Sequence, residues 1–381
     1  MKEFSKDELK KFYHNRKEKL FSFMEENNIS AVVFEDSEEN RDSSVRYFTG
    51  HPSDALFIAS KNKKCALVAW DENLAKQMSV DVPVFSYNDY KRQNICAVKE
   101  ILKSFKIDDK RKKVEISPKT PYPQFLKFVD ALENYDVLCR ENSAHDFVTE
   151  ICSCKDEYEI ECTKEACRVG DLIIEKIEEQ IKNGSIKTES DVALLIEKEL
   201  RANGCEKTGF DTLAAGPKRS FAIHAFPGYT DDAWPSDGLS ILDFGVVYNG
   251  YTSDTTLTVV KNPTKEQKHL VELVETAAKQ ALPYYKNGEE IRLAAIVAQD
   301  VFKKAKRVMP HTLGHGIGLK IHEFPRVSEN MSKNQTFKTG MIVTLEPGLY
   351  DSEIGGVRLE NDILITENGN EVLTKSKIIY C

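Results

Sequence analysis

The 381-residue sequence lacks the long apolar runs of a membrane protein. No segment approaches the ~18 uncharged apolar residues that a membrane-spanning helix needs, so no membrane is expected as a partner. A secretory signal pattern is missing as well, because the first twenty residues, MKEFSKDELKKFYHNRKEKL, are charged throughout. Together these absences predict a cytoplasmic protein.

Closely spaced cysteines are also nearly absent. The nine cysteines are scattered, Cys152 and Cys154 form the one close pair, and no CxxC pair occurs. Zinc ribbons and zinc fingers are built from such pairs, so this class of site is not expected. Thiols of cytosolic proteins are normally reduced, and we therefore predict free cysteines without disulfides.

An excess of positive charge is missing too. Lysine and arginine total 53 against 61 aspartates and glutamates, which gives a net charge of −8 and disfavours nucleic acid as a partner. There is no HExxH motif and no sign of a serine or cysteine triad. The remaining composition, 41% hydrophobic and 30% charged, is that of an ordinary globular protein.

Two kinds of element pattern divide the chain. Up to residue 140, amphipathic helix patterns alternate with short apolar runs such as SAVVFE, DALFIAS and KCALVAW, which predicts a small α/β domain. We predict a linker over residues 141–154 and a second domain over 155–381. That domain begins with two helix patterns that end at Gly184 and Gly204, and it continues with helices and antiparallel hairpins. The predicted class is α+β.

The segment LDFGVVYNGYTSDT carries two carboxylates in a pattern built for a β-hairpin. Asn249-Gly250 is a strong two-residue turn signal, and a turn centred there puts Asp254 opposite Gly245. Asp243, two residues before Gly245, then shares the face of Asp254. Two close carboxylates repel each other unless a cation lies between them, which points to a shared ion. The alternative is that both lie in solvent at strand ends.

A second pair of carboxylates follows in MIVTLEPGLYDSEIGGVRLENDILIT. Glu346 ends an apolar run and Glu360 lies inside another, with turn signals between them at Asp351 and the following glycines. Such a turn brings the two glutamates level, and Arg358 shares the strand face of Glu360. The alternatives are edge glutamates and a surface arginine.

Three of the eight histidines fall within HTLGHGIGLKIHE, namely His311, His315 and His322. A single histidine is more often structural than a ligand, but a cluster of three favours a site. Two aspartates, two glutamates and one histidine suit two hard or borderline divalent ions such as Mn²⁺, Co²⁺ or Zn²⁺. Two such ions ~3.5–4 Å apart can share a water, lower its pKa and polarise a carbonyl.

These motifs together resemble the metallopeptidases of the pita-bread fold, which include methionine aminopeptidase, Xaa-Pro aminopeptidase and Xaa-Pro dipeptidase (prolidase). The resemblance covers residues 155–381 as the catalytic domain. VRYFTGH makes the first 140 residues similar to the N-terminal domain of creatinase and prolidase relatives. The resemblance implies two divalent ions, with Mn²⁺ first and Co²⁺ or Zn²⁺ as alternatives, and the following metal ligands: Asp243, Asp254, His315, Glu346 and Glu360.

The Xaa-Pro branch is the most similar one, on EPGLY, GGVRLEND and FAIHAFPG. That branch often has proline directly before the histidine of the last motif, where this chain has Ile223. The resemblance implies that Glu346 shuttles the proton, and it implies these catalytic residues: His224, His311, His322, Glu346 and Arg358. The expected substrate contacts are His224, His322 and Arg326.

Arg326 is proposed on a different ground, its position four residues after His322 in HEFPRVS. An arginine there can pair with the C-terminal carboxylate of a bound dipeptide. The alternative is a surface arginine in a loop.

The expected reaction is hydrolysis of the peptide bond before proline in peptides with proline at the second position, as in an Xaa-Pro aminopeptidase. The alternatives are an Xaa-Pro dipeptidase, a metal-free binding module and a creatinase-like hydrolase of small amidines. Because the family is often dimeric, we expect a homodimer.

Overall fold

The structure is a computed structural model that describes residues 2–107 and 111–381. It forms two compact units, Lys2–Cys152 and Ser153–Cys381. All nine cysteines are free thiols, as predicted. Within the described ranges no helix is both long enough and apolar enough to cross a membrane.

The first unit is a mixed sheet with helices. Its helices are α1 (Lys6–Glu26), α2 (Ser43–Thr49), α3 (Glu72–Met78), α4 (Asn94–Ser104), α5 (Tyr122–Ala131) and α6 (Ala144–Ile151). Its strands are β1 (Ala31–Asp36), β2 (Ala55–Ser60), β3 (Cys65–Ala69), β4 (Val84–Ser86), β5 (Lys112–Glu115) and β6 (Tyr135–Leu138). The strand order is β4-β3-β2-β1-β5-β6, with β1 antiparallel to β2 and parallel to β5.

The sequence explains these elements locally. Ser5 and Glu8 form a capping box that begins α1, and α2 ends at Gly50 in the left-handed conformation. The central strand β2 is buried along its whole length, as its continuous apolar run predicts. The domain boundaries at 140 and 154 stay predictions, and the stretch predicted as a linker contains the helix α6.

The second unit combines four helices with four sheets. Its helices are α7 (Glu157–Lys182), α8 (Glu189–Ala202), α9 (Lys265–Ala281) and α10 (Ile291–Lys304). The first seven strands are β7 (Lys207–Thr208), β8 (Leu213–Ala215), β9 (Gly238–Phe244), β10 (Val246–Tyr248), β11 (Tyr251–Thr252), β12 (Thr255–Lys261) and β13 (Gly314–Gly316). The other seven are β14 (Glu323–Val327), β15 (Ile342–Leu345), β16 (Gly348–Asp351), β17 (Gly355–Arg358), β18 (Asn361–Thr366), β19 (Gly369–Val372) and β20 (Ile378–Tyr380).

Antiparallel pairing dominates the second unit. The sheet orders are β11-β10-β7, β20-β12-β9-β8, β14-β13-β15-β18-β19 and β16-β17, and the pairing of β12 with β20 is parallel. Side-chain caps at Asp156, Thr188 and Thr264 begin three of the helices. The predicted α+β class is confirmed.

Two apolar cores hold this unit together. In one, α7 and α8 pack against β9 and β12 around Trp234 and Phe244. In the other, α9 and α10 pack around Tyr285, Phe302 and Phe337, with strand residues such as Val343 and Val357. The inner strands are thereby fixed on the face that carries the predicted site.

Candidate metal centre and active site

The two predicted aspartates lie on the paired strands β9 and β12. The tip pairs Tyr248 with Tyr251, and further down Thr256 pairs with Asp243, so the predicted hairpin register is confirmed. The ladder is interrupted at Ser253 and Asp254, between β11 and β12. Asp243 and Asp254 are 7% and 4% exposed. The alternative of two solvated strand ends is therefore wrong.

The two predicted glutamates lie opposite each other where β15 and β18 meet the β16–β17 hairpin. Leu345 pairs with Asn361 and Gly348 with Arg358, and this common register places Glu346 level with Glu360. Glu360 is 2% exposed, so it is no edge residue.

Thr256 joins the glutamate pair to the aspartate pair. Its hydroxyl donates to Glu360 Oε2 at 2.7 Å, and the Glu360 N–H donates to the Thr256 carbonyl at 3.0 Å. Because Thr256 also pairs with Asp243 across the sheet, the four carboxylates lie around one point.

His315, on the short strand β13, points at this cluster. Its Nε2 lies 3.5 Å from an oxygen of Asp254 and 3.5 Å from an oxygen of Glu346. Its Nδ1 lies 3.2 Å from the Gly316 carbonyl oxygen, which favours a proton on Nδ1 and leaves the Nε2 lone pair for an ion. One ligand atom each from Asp254, His315 and Glu360 lies within 4.8 Å of the other two.

The electrostatics of the cluster favour a bound cation. Burial, reinforced by the neighbouring carboxylates, raises the pKa of Asp254 and Glu360 well above their usual range. Burial also raises the pKa of Glu346, to about 8, although Arg358 opposes this shift. Asp243 Oδ1 is buried without a hydrogen-bond partner. Oxygen donors with one imidazole are a donor set that fits divalent ions, and a bound ion would offset this repulsion.

Arg358 braces one side of the cluster and is only 2% exposed. It donates to Asp243 Oδ2 at 2.6 Å, to the Thr256 hydroxyl at 3.0 Å and to the Tyr350 hydroxyl at 2.7 Å. A fourth bond runs to the Ile223 carbonyl at 3.1 Å. The alternative of a surface arginine is therefore wrong, and Arg358 offsets part of the negative charge on Asp243.

The three remaining predicted histidines differ in their environments. His311 Nε2 lies 3.1 Å from the Tyr350 hydroxyl, its Nδ1 lies 3.8 Å from Glu346, and burial lowers its pKa to about 4. His322 is exposed, with its ring centre 4.3 Å from that of His315. His224 is also exposed. A buried neutral imidazole thus lies beside two that face solvent.

One cavity of about 730 Å³ is bordered by all ten residues that the sequence predicts for the site. Its walls also include apolar side chains, among them Phe210, Leu213, Phe226 and Ile321. Arg326, on β14, is exposed and faces His315 across the strand pair. A small peptide fits a cavity of this size, with its polar groups towards the carboxylates.

Sequence reasoning missed several polar residues that support the cluster. Thr344 donates to Glu346 at 3.5 Å and accepts the His315 N–H at 3.1 Å. Asp362 accepts the Asp254 N–H at 2.9 Å and is fully buried. A signal for Asp362 did exist, because it lies two residues after Glu360 within an apolar strand.

Comparison with known proteins gives the same picture from a different direction. The description "Metallopeptidase family M24" matches residues 161–367. An Xaa-Pro dipeptidase of Pyrococcus furiosus is 32% identical over 375 residues, which cover 95% of this chain and 98% of the relative.

Two solved structures match along nearly the whole chain. An X-Pro aminopeptidase of Thermotoga maritima is 27% identical with a TM-score of 0.81, over 96% of this chain and 99% of the other. An Xaa-Pro dipeptidase of Bacillus anthracis is 26% identical with a TM-score of 0.82, over 97% of this chain and 100% of the other. With its family match and its full-length relatives, the chain belongs to the pita-bread metallopeptidase family M24, among the Xaa-Pro peptidases.

Proposed function

We propose that this peptidase uses two divalent ions to hydrolyse the peptide bond that precedes proline, with Xaa-Pro dipeptides as its first substrates. The observation that carries the proposal is the convergence of four buried carboxylates and His315 Nε2 on the floor of a peptide-sized cavity. Carboxylates buried this close together are costly without cations, which supports metal dependence.

The predicted ligands divide naturally around the cluster. Asp254, His315 and Glu360 would share one ion, and the buried free oxygen of Asp243 supports its role towards a second. When bound, the ions would supply a Lewis acid and a water of lowered pKa. Mn²⁺ is the ion we expect first, with Co²⁺ and Zn²⁺ as alternatives.

The side chains around the ions have separate tasks. Glu346 is the proposed proton carrier, because its carboxylate reaches both the ligand cluster and His311, which lies 3.8 Å away. His224 and His322 line the open side of the cavity, where they can donate hydrogen bonds to the oxyanion of the tetrahedral intermediate. Arg358 holds Asp243 in place and stays out of the solvent.

Arg326 supports the choice of dipeptides. It borders the cavity beside His322 and carries a charged head in solvent, where it can bind the C-terminal carboxylate of Xaa-Pro. The dipeptidase relatives support the same choice. The second candidate is an Xaa-Pro aminopeptidase, favoured by a neighbouring cavity of about 610 Å³ that shares His311, Thr312 and Arg326 with the first.

A substrate panel with controlled metal content tests the proposal. Chelated protein is assayed with Leu-Pro, Leu-Pro-Gly and the control Leu-Gly, before and after addition of Mn²⁺, Co²⁺ or Zn²⁺. We expect no hydrolysis without metal, recovery with Mn²⁺, and faster cleavage of Leu-Pro than of Leu-Gly.

Each other outcome has a distinct meaning for the proposal. Full activity in verified metal-free protein would remove the metal-dependent reaction. Faster cleavage of Leu-Pro-Gly than of Leu-Pro would select the aminopeptidase. Metal binding without hydrolysis of any peptide would leave only the binding-module alternative.

A further inference from the structure

The backbone of Asp254 lies in a break between two strands. β11 ends at Thr252 and β12 begins at Thr255, so the Asp254 N–H takes no part in the ladder. Nearby, the Ser253 N–H donates to the Val246 carbonyl at 3.0 Å, and the Ser253 hydroxyl accepts from Val246 N–H at 3.2 Å. A buried N–H outside the ladder needs another acceptor.

That acceptor is a carboxylate from a different sheet. The Asp254 N–H donates to Asp362 Oδ2 at 2.9 Å, and Asp362 is on β18, in the sheet that also contains β13 and β15. The backbone of Asp362 is itself fixed, because its N–H donates to the Thr374 hydroxyl at 2.9 Å. Both Asp362 and Thr374 are buried.

A helix contributes to the same oxygen. Cys167 on α7 is fully buried, and its Sγ lies 3.4 Å from Asp362 Oδ2, within reach of an S–H donor. A thiol is a weak donor, so it orients the carboxylate while leaving the stronger bond to Asp254. Helix α7, strand β18 and the Asp254 backbone therefore meet at one carboxylate oxygen.

We propose that Asp362, oriented by Cys167, is a positioning residue that aims the Asp254 carboxylate at the ion. A hydrogen bond from a backbone N–H to a carboxylate is strong and directional. It fixes the Asp254 backbone just where the ladder does not. The proposal rests on the metal-dependent function proposed above, and nothing in it requires Asp362 to touch the ion or the substrate.

Metal affinity, measured apart from activity, tests the proposal. Mn²⁺ is titrated calorimetrically into chelated wild-type protein and into the variants Asp362→Ala, Asp362→Asn and Cys167→Ala, with Asp300→Ala on the exposed side of α10 as a carboxylate control. Removing groups that orient a ligand typically costs ~10–100-fold in metal affinity, and we expect a loss of this size for Asp362→Ala. Asp362→Asn keeps an oxygen acceptor and should lose less, Cys167→Ala less again, and Asp300→Ala nothing.

Activity gives a second readout that a purely structural role would not produce. The loss of kcat in the Asp362 variants should recover when Mn²⁺ is in excess, while KM for Leu-Pro stays at the wild-type value. If Asp362→Ala does not fold, Asp362→Asn and Cys167→Ala carry the same test.

Failure of this inference differs from failure of the proposed function. Wild-type protein that binds no ion would remove the metal-dependent function itself. Wild-type binding with variants that lose less than ~10-fold in affinity, below the range for groups that orient ligands, would leave Asp362 as a structural tie between sheets.

Discussion

Asp254 illustrates how a single side chain can favour function over stability. It is 4% exposed, and its carboxylate lies among those of Asp243, Glu346 and Glu360. In the absence of an ion, the negative charge of Asp254 has no nearby cation that balances it, apart from the share of Arg358. Buried charges without partners destabilise a fold by several kcal/mol each, after relaxation.

Replacing Asp254 by asparagine separates these two effects. We expect Asp254→Asn to lose at least one bound Mn²⁺ and its hydrolysis of Leu-Pro, because the amide is a neutral and weaker ligand. Without metal at pH 8, the variant should unfold at the same or a higher urea concentration than the wild type, since one repelling charge is gone. Asp300→Asn, an exposed carboxylate on α10, serves as the control. A variant that retains two ions and the wild-type rate would show that Asp254 is not a ligand.

Arg326 sets the expected response to substrate length. Arg326→Ala should raise KM for Leu-Pro more than for Leu-Pro-Gly, because only the dipeptide places its carboxylate at this position. A hydrogen-bonded charged pair contributes ~1.5–3 kcal/mol, which corresponds to about tenfold or more in KM. Lys320→Ala, another exposed cation of the same loop region, is the matched control. Equal changes for both substrates contradict the assignment.

Among the strands, the break beside Asp254 depends on Gly245. A Cβ at Gly245 would collide with the Ser253 carbonyl and lie 3.0 Å from the ring of Phe210. The two strands can approach this closely only because residue 245 has no side chain.

Gly245→Ala should therefore both destabilise the fold and weaken metal binding. Overpacking of this kind costs ~1–3 kcal/mol, to be measured as the change in free energy of unfolding in urea. Gly170→Ala is the matched control, because its Cβ would lie 3.7 Å from the Ser253 hydroxyl, an ordinary contact, and alanine is the better helix residue. If both variants behave alike, the close approach at Gly245 is not a constraint.

The elements that sequence reasoning predicted well are those with local signals. The Asn249-Gly250 turn fixes its own register within a few residues, and the structure has this register. Helices α7 and α8 end within two residues of Gly184 and Gly204, which both adopt positive φ.

Contacts between distant segments could not be predicted in the same way. Thr256 and Glu360 are 104 residues apart, and Asp254 and Asp362 are 108 apart. No periodicity within either segment encodes that meeting, because it follows from how the two sheets pack. Arg358 had a recognisable motif, but its bond to Tyr350 depends on the β16–β17 hairpin bringing them together.

For the folded chain as a whole, the cluster predicts an inverted response to pH. Without metal, the pKa of Glu346 is about 8 against an ordinary value of 4.5, and those of Asp254 and Glu360 are raised as well. Between pH 6.5 and 8 the folded chain binds more protons than the unfolded one, so its stability falls as the pH rises. The slope is on the order of 1 kcal/mol per pH unit for each titrating group.

Urea unfolding at pH 6.5 and pH 8, with chelator or with Mn²⁺, measures this slope. The buried histidines do not interfere, because the lowered pKa values of His311 and His315, about 4, oppose the trend only below pH 6.5. With Mn²⁺ bound, the carboxylates stay ionised in the folded chain and the slope should vanish. Chelated protein that is more stable at pH 8 than at pH 6.5 contradicts this expectation. The homodimer stays a prediction.

The cost of burying four carboxylates reaches beyond the reaction to the lifetime of the protein. An ion that binds only the folded chain shifts the folding equilibrium by mass action. Proteases act on the small unfolded fraction, and a change of ~1–2 kcal/mol in stability can alter protein abundance several-fold. The supply of divalent metal would then set how long each copy survives as well as how fast it works, so that a metal-starved cell degrades the copies it cannot load.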